Sequence, residues 1–165
     1  MDSSKTKPLD LLDKSQISEL RQKKDFRNVL ALSFDWGMMA LGFYIFYAYP
    51  SVITFLVAVI IIGSRQFALA VLAHDGAHNL LFSNLKVNDF VAQWFCAYPI
   101  FQDNRVYRPY HLKHHRYTET DEDPDLSLSA PFPITKKSFL RKVFRDLTGL
   151  TGLKRYSSSI LSILH

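Results

Sequence analysis

Histidines are the residues of this 165-residue chain whose type and spacing favour chemistry most clearly. Five of the six histidines lie in two short stretches, HDGAH and HLKHH, which begin at positions 74 and 111. The two histidines of the first stretch are four residues apart, and those of the second stand at i, i+3 and i+4. On helices, both spacings place the rings on one face. The five candidate metal ligands, and with the metal the candidate catalytic residues, are His74, His78, His111, His114 and His115.

Imidazole nitrogen is a suitable ligand for iron, zinc, copper and nickel, and spacing alone does not choose among these metals. The chain contains no H-E-x-x-H and no E-x-x-H, which excludes the zincin motif and the soluble di-iron carboxylate motif. Cys96 is the single cysteine, so neither an internal disulfide nor a cysteine-based zinc site is possible within the chain. No serine or cysteine stands in a hydrolase signature.

Two apolar runs, 29–49 and 52–73, precede and position the first histidine stretch. About 20 residues of helix at ~1.5 Å per residue cross the ~30 Å hydrocarbon core of a bilayer. The runs are separated only by Pro50 and Ser51, which predicts a helical hairpin. Asp35 is expected near one end of its span, where a charge costs less. A third apolar stretch, 90–101, is too short for a span and predicts an interfacial or re-entrant helix.

The charge pattern bears on orientation and partners. The polar segment 1–28 carries seven basic and five acidic residues, and the tendency of basic residues to stay inside predicts that it lies in the cytosol with the histidine stretches. The formal net charge is +5, without an RNP-like or zinc-finger pattern, so nucleic-acid binding is not expected. The basic residues are better explained as surface near anionic lipid headgroups.

The two histidine stretches, 37 residues apart from His74 to His111 and placed after an apolar hairpin, resemble the first two boxes of the membrane fatty acid desaturases. The pattern of that family is H-x(3-4)-H, then H-x(2-3)-H-H, then a late third box that ends in H-H. The resemblance covers roughly residues 30–126. The superfamily also includes hydroxylases and ketolases, and the sequence RYTETDEDPDL after the second box is similar to both desaturases and bacterial carotenoid ketolases.

The resemblance implies two non-haem irons held by the five histidines at the cytosolic face of the membrane. In such enzymes reduced iron activates O₂, and two hydrogen atoms are removed from an unactivated acyl chain to leave a double bond. The implied partners are a membrane lipid or acyl thioester substrate, O₂, and an external electron donor of ferredoxin or cytochrome b5 type. Asp75 and the acids at 119–125 are candidate hydrogen-bond partners of the imidazoles, although Asp123-Pro124-Asp125 also reads as a turn with helix-capping acids.

The chain departs from the family pattern after the second box. No third H-x-x-H-H exists, and His165 is the one later histidine. Family members have about four spans and are near twice this length, and five histidines are too few for two irons. We therefore expect an N-terminal fragment that is inactive alone. Its expected fold is all-α and about half of a four-span protein: a polar segment 1–28, a desaturase-like membrane region 29–126, and a cytosolic segment 127–165 leading to a truncated span.

Two alternatives stay open. A carotenoid ketolase or hydroxylase of the same superfamily would use the same metal on a different substrate. A non-catalytic membrane protein would use the histidines to bind zinc or copper for sensing or storage. The acyl length, the double-bond position and the electron donor do not follow from the sequence.

Overall fold

The fold is built from α-helices. A computed structural model describes residues 13–20 and 22–163, and no strand occurs within these residues. The described chain separates into two compact units, one ending at His115 and the other beginning at Arg116. The α-helices of the first unit are α1 Lys14–Leu20, α2 Asp25–Ala48, α3 Val52–Ala77, α4 Leu85–Val91 and α5 Asn104–Tyr117, the last of which continues past the boundary. Those of the second unit are α6 Leu126–Ser129, α7 Lys136–Leu147 and α8 Leu150–Ile163.

Helices α2 and α3 form the predicted hairpin. Each is long and apolar enough to cross a membrane, with 24 and 26 residues. Each helix is longer at one end than the apolar run that predicted it. Helix α2 starts at Asp25, four residues before the run at 29, and α3 continues to Ala77, four residues past the run that ends at 73. The break between them is fixed by Ser51, whose hydroxyl accepts a hydrogen bond from the Thr54 N–H while the Thr54 hydroxyl accepts one from the Ser51 N–H. This reciprocal capping box starts α3 directly after the proline.

The outward faces of the hairpin are apolar and exposed. Within the most apolar windows of α2 and α3, only 17% and 11% of residues are buried. Exposed side chains include Tyr47, Val52, Ile53, Ile60 and Phe67, each at least 70% accessible. Such surfaces are typical of helices that face lipid. Together with the all-helical architecture, they make this an all-α membrane protein.

An ion pair lies inside the hairpin. Asp35 is 5% exposed, and one carboxylate oxygen accepts a 3.0 Å hydrogen bond from the Arg65 guanidinium on α3. Because α2 begins at Asp25, ten residues before it, Asp35 lies well inside the helix, and the expectation that it stands near one end is wrong. Burial against α3 and pairing with Arg65 replace solvation as the way this charge is stabilised. Nearby, Gly42 lets Ile62 pack closely against α2.

The third apolar stretch is helical, as predicted, and it packs against the hairpin. Helix α4 runs into a π-helical turn at Ala92–Ala97 and a 3₁₀ turn at Tyr98–Ile100. The Trp36 indole N–H donates to the Phe95 carbonyl at 3.1 Å, which ties this segment to α2. The depth of the segment in a membrane stays a prediction.

The core of the first unit lies between α3 and this segment. Six apolar residues form it, all at most 6% exposed: Ala73, Leu81, Phe82, Ala92, Cys96 and Ala97. Asn88, which has no accessible surface, holds the turn after α3 against this core. Its amide oxygen accepts from the N–H groups of Leu81 and Phe82, and its amide nitrogen donates to the Gly76 carbonyl. A buried side chain with these bonds fixes the chain path directly after the first histidine stretch.

The acidic stretch of the second unit forms a turn. Asp123 is 6% exposed, and its carboxylate accepts hydrogen bonds from the backbone N–H groups of Glu119 and Asp125. The sequence reading of these acids as turn formers therefore holds for Asp123. Helix α7 begins at the Thr135 cap, whose hydroxyl accepts from the Ser138 N–H.

Candidate metal centre

The last turn of α3 and the middle of α5 together position the candidate ligands. His74 lies in the last turn of α3 and His78 caps its C-terminal end. Helix α5 carries the second histidine stretch, and His111 is the buried residue within it, at 8% exposure. The two helices are joined beside the rings, because the Arg108 guanidinium donates to the Gly76 carbonyl at 2.9 Å.

Close approach behind the first stretch depends on Gly76. A Cβ at this position would overlap the Cβ of Ala92, and it would lie 3.6 Å from the Asn104 amide nitrogen. The glycine of HDGAH therefore lets the π-helical turn and the start of α5 pack directly against the helix that carries two of the histidines. A larger residue would push these elements apart.

Four histidines converge. One ring nitrogen from each of His74, His78, His111 and His115 lies within 4.8 Å of the other three. The Nε2 atom of His111 is 3.0 Å from the Nε2 atoms of both His78 and His115. Ring centroids of His74 and His111 are 4.6 Å apart. The sequence expectation that two helical surfaces bring imidazoles together is thus met by the geometry of these four.

The surroundings favour the neutral, metal-binding form of the imidazoles outside the span. Burial and the neighbouring histidines, His74 first among them, lower the pKa of His111 to about 4. The pKa of His78 is lowered for the same two reasons, with burial the larger. At neutral pH these rings therefore carry free nitrogen lone pairs.

The donor set fits a divalent metal. A neutral imidazole nitrogen is either a donor or a single-lone-pair acceptor, so the Nε2 atom of His111, 3.0 Å from the Nε2 atoms of both His78 and His115, can form a hydrogen bond with only one of them. A metal bound to several of these nitrogens at once would use the lone pairs that the rings cannot share with one another. The four imidazoles suit iron, zinc or copper by donor type.

Comparison with known proteins decides the family. The model of the family described as "Fatty acid desaturase" matches residues 50–164, which include α3 and both histidine stretches. Over 71 residues, 42% of the chain, the sequence is 42% identical to dihydrorhizobitoxine desaturase of Bradyrhizobium elkanii. This match covers 20% of that relative's length. No solved structure matches the chain.

The chain belongs to the fatty acid desaturase family. Fatty acid desaturases generally bind iron and act as oxidoreductases in membranes, in agreement with the four imidazoles and the two long apolar helices. The resemblance inferred from the two histidine boxes is thereby confirmed. The assignment of individual histidines as iron ligands stays a prediction.

The fifth candidate, His114, lies outside the group of four. Its ring centroid is 6.1 Å from that of His111 and 5.6 Å from that of His115. On α5, the i+4 residue lies about 40° from residue i, and the i+3 residue lies about 60° away on the other side. With His111 facing α3, the ring of His115 therefore lies nearer to the histidines of α3 than the ring of His114 does.

The acids that we expected to form hydrogen bonds with the imidazoles lie in two different parts of the chain. The Asp75 carboxylate lies 3.5 Å from Nδ1 of His74, a distance that orients the ring only weakly. The acids at 119–125 belong to the second unit, so their role toward the imidazoles stays a prediction. His165 lies outside the described residues.

Sequence reasoning missed the residues that hold the two boxes in place. These are Asn88, which fixes the turn after α3, and Arg108, which joins α5 to Gly76 and to Asp89. The glycine inside HDGAH was a signal for close packing, since glycine in a helix is otherwise unfavourable. No motif in the local sequence marks Asn88, because its partners, apart from the Asp89 carboxylate, are backbone groups six to twelve residues earlier in the chain.

Proposed function

We propose that this chain is part of a membrane-bound non-haem di-iron oxygenase that introduces a double bond into a fatty acyl chain with O₂ and reducing equivalents. The observation that carries the proposal is the convergence of four imidazoles from the two histidine boxes of a desaturase family member. The relative with 42% identity is itself named a desaturase, which supports desaturation over hydroxylation or ketolation.

Iron, when bound, would supply the activation of O₂ that removal of hydrogen from an unactivated methylene needs. His74, His78, His111 and His115 would hold it, each through one neutral ring nitrogen. Four neutral ligands leave the metal's positive charge undiminished, which suits both its ferrous and ferric forms. His114 is a candidate for the second iron, together with ligands that these four do not supply.

The protein around the four rings keeps them in position between turnovers. Asn88 and Arg108 both donate to the Gly76 carbonyl, and so they hold the turn that carries His74 and His78. Tyr107 stacks on His111 with ring centroids 4.9 Å apart and planes 14° from parallel. Rings fixed in this way need little reorganisation when they take up a metal.

The hairpin would place the centre at the edge of the membrane. Both α2 and α3 are long enough to span, and the first box lies where α3 ends. We propose that this end and the polar N-terminal segment face the cytosol, because basic residues outnumber acids before α2. The proposed partners are an acyl lipid or thioester and an electron donor of ferredoxin or cytochrome b5 type.

A second candidate differs in substrate. The relative's name states that it acts on dihydrorhizobitoxine, and its match covers 42% of this chain. Formation of a double bond in dihydrorhizobitoxine or a similar molecule is therefore the alternative to fatty acyl desaturation. Both candidates use the same metal, so products distinguish them.

The test combines metal content with product analysis. The protein is expressed in membranes with iron and a reductase system and is supplied with acyl lipid or, separately, dihydrorhizobitoxine. We expect bound iron, and an unsaturated product from one substrate when the chain is expressed within the longer protein of which it is proposed to be part, with both lost in His111→Ala. Residues 1–165 alone should give no product. Stoichiometric zinc or copper without iron would support the metal-storage alternative and overturn the proposal.

A further inference from the structure

A cavity separate from the four histidines carries unsatisfied polar groups. It has a volume of about 250 Å³ and lies between α4, the π-helical turn and the start of α5. Its lining residues are Asp89, Phe90, Gln93, Trp94, Asn104, Arg105 and Arg108. Both polar and aromatic side chains therefore face the same space.

Three buried polar atoms of this lining have no hydrogen-bond partner among the described residues. They are Nε2 of Gln93, Oδ1 of Asn104 and Nε of Arg108. Gln93 and Asn104 are only 6% and 3% exposed. A buried polar atom left without a partner typically costs about 1–3 kcal/mol, so three in one cavity require an explanation.

The orientation of the Gln93 amide is fixed by the backbone. Its Oε1 atom accepts a 3.0 Å hydrogen bond from the Asn104 N–H, which leaves Nε2 as the free end. Arg108 is also fixed, because its terminal nitrogen donates to the Gly76 carbonyl and to the Asp89 carboxylate. The residues that line the cavity thus include two fixed N–H donors and one carbonyl acceptor whose hydrogen bonds are unmade.

The charges and rings around these atoms narrow the class of ligand. Arg108 is paired with Asp89, and Arg105 is paired with Asp103, so the polar end of the cavity has no uncompensated charge. Phe90 and Trp94 are each 57% exposed and give the cavity an aromatic side. A neutral group that accepts two hydrogen bonds and donates one, attached to an apolar chain, matches this lining.

We propose that the cavity is a binding site for a neutral carboxamide-type head group on an apolar chain. The carbonyl oxygen would accept from Gln93 and Arg108, and the N–H would donate to Asn104. The cavity is larger than one bridging water needs, since water takes about 30 Å³ in the liquid. The site neither includes the four histidines nor depends on the proposed function. Its link to them is Arg108, which lies one turn before His111.

Binding can be measured without iron or turnover. The chain has two tryptophans, Trp36 and Trp94, so a Trp36→Phe background leaves Trp94 in the cavity as the fluorescence reporter. The probes are decanamide and methyl decanoate, which have similar chains and carbonyls, although only the amide donates. We expect decanamide to bind about tenfold more tightly, the size of one buried hydrogen bond.

The matched variants separate ligand binding from structural damage. Asn104→Leu removes the acceptor and should lower decanamide affinity about tenfold, to the level of methyl decanoate. Asn104→Asp keeps an acceptor oxygen and should retain the preference for the amide. Unchanged iron content would show that the histidine centre is intact in both variants. Equal binding of the two probes by the Trp36→Phe protein, or no saturable response, would mean that water alone occupies the cavity.

A second surface, in the other unit, carries an independent inference. Helix α7 has an apolar face, formed by residues at positions 139, 140, 143, 144 and 147, which recur at three- and four-residue spacing. Four of these side chains are more than half exposed: Phe139 at 55%, Leu140 at 65%, Phe144 at 62% and Leu147 at 83%. The rest of the helix carries five basic residues and one acid, Asp146.

We infer that α7 lies on an anionic lipid surface. A helix with a basic face and exposed aromatic and aliphatic residues on the other face is the form that binds in the plane of a bilayer interface. Its basic residues complement anionic headgroups, each contributing roughly 1 kcal/mol near the surface. The same chain is a membrane protein through α2 and α3, so a bilayer is present wherever the protein is.

Site-directed fluorescence in the complete chain tests this inference. Leu140→Cys and Arg145→Cys place a bimane label on opposite faces of α7, five residues apart. The native thiol does not compete for the label, because burial, with a smaller contribution from Asp35, raises the pKa of Cys96 to about 12. Each labelled protein is placed in nanodiscs of phosphatidylcholine alone or mixed with phosphatidylglycerol, with a headgroup-proximal nitroxide lipid as quencher.

We expect the label at position 140 to be quenched and blue-shifted in the anionic nanodiscs, and the label at 145 to stay water-like. Changing Arg141 and Lys142 to Gln should weaken the lipid quenching at 140 in the anionic nanodiscs. Two outcomes would overturn the inference. One is a water-like label at 140 in both lipids, and the other is a label shielded from water and from the nitroxide lipid alike, which indicates that protein covers the face.

Discussion

The two ends of the helical hairpin are built in different ways. Around Pro50 the side chains are apolar and point outward, with Tyr47 and Val52 85% and 76% exposed. Around His74 the packing is dense and polar, with Asn88 fully buried and His111 8% exposed. The comparison shows that, among the described residues, side-chain hydrogen bonds at the first end are confined to the local Ser51–Thr54 cap and the outward side chains suit lipid, whereas the second end is held by hydrogen bonds and close contacts between different helices.

The largest expected difference concerns the metal. His111→Ala removes the most buried of the four converging ligands, and we expect bound iron to fall to background. The loss in affinity should exceed the 10- to 100-fold that changes beyond the ligands typically cause. His114→Ala is the matched control, because His114 lies outside the group of four, and it should retain more iron. Equal loss in both variants, measured by elemental analysis, would contradict the distinction drawn between these two residues.

The Asp35–Arg65 ion pair lies between the two ends of the hairpin, and its contribution to stability can be tested by itself. Asp35→Leu leaves the Arg65 guanidinium without its buried partner, and we expect a loss of about 3–5 kcal/mol in unfolding free energy. The double change of Asp35 and Arg65 to Leu should recover most of this loss. Thermal unfolding in detergent measures both proteins, and a double variant no more stable than Asp35→Leu would show that the pair is not the source of the effect.

The polar end should be sensitive to the loss of one buried amide. Asn88→Ala leaves the buried N–H groups of Leu81 and Phe82 unsatisfied, and we expect about 2–4 kcal/mol of destabilisation. Asn84→Ala removes only the cap of α4, where its side chain accepts from two backbone N–H groups, and should cost about 1 kcal/mol. Chemical denaturation of the two variants checks the order, and a larger effect at Asn84 would reverse our account.

The smallest expected effect on stability comes from changing two glycines of α3 to alanine. Gly76→Ala places a Cβ against Ala92 and should destabilise by about 1–3 kcal/mol. Gly63→Ala meets nothing within 4 Å, and the better helix propensity of alanine should make it neutral or slightly stabilising. Melting temperatures of the pair measure the difference, and similar values would show that α3 is packed equally loosely at both positions.

The sequence predicted the hairpin because long apolar runs and a Pro-Ser break have one simple solution in a membrane. It also predicted that the two boxes meet, since helical spacing puts imidazoles on common faces. It misplaced Asp35, because the helix begins four residues before the apolar run at 29. It did not separate His114 from His115, because the direction from which α3 approaches α5 is set by Arg108 and Gly76, whose contacts are distant in sequence.

X-ray absorption spectroscopy of the iron-loaded protein tests the shared metal centre most directly. The account predicts a first shell of nitrogen and oxygen atoms and the outer-shell scattering of about four imidazoles, reduced in His111→Ala. Iron with an oxygen-only shell, or a spectrum unchanged by that substitution, would contradict the claim that the four histidines bind the metal together.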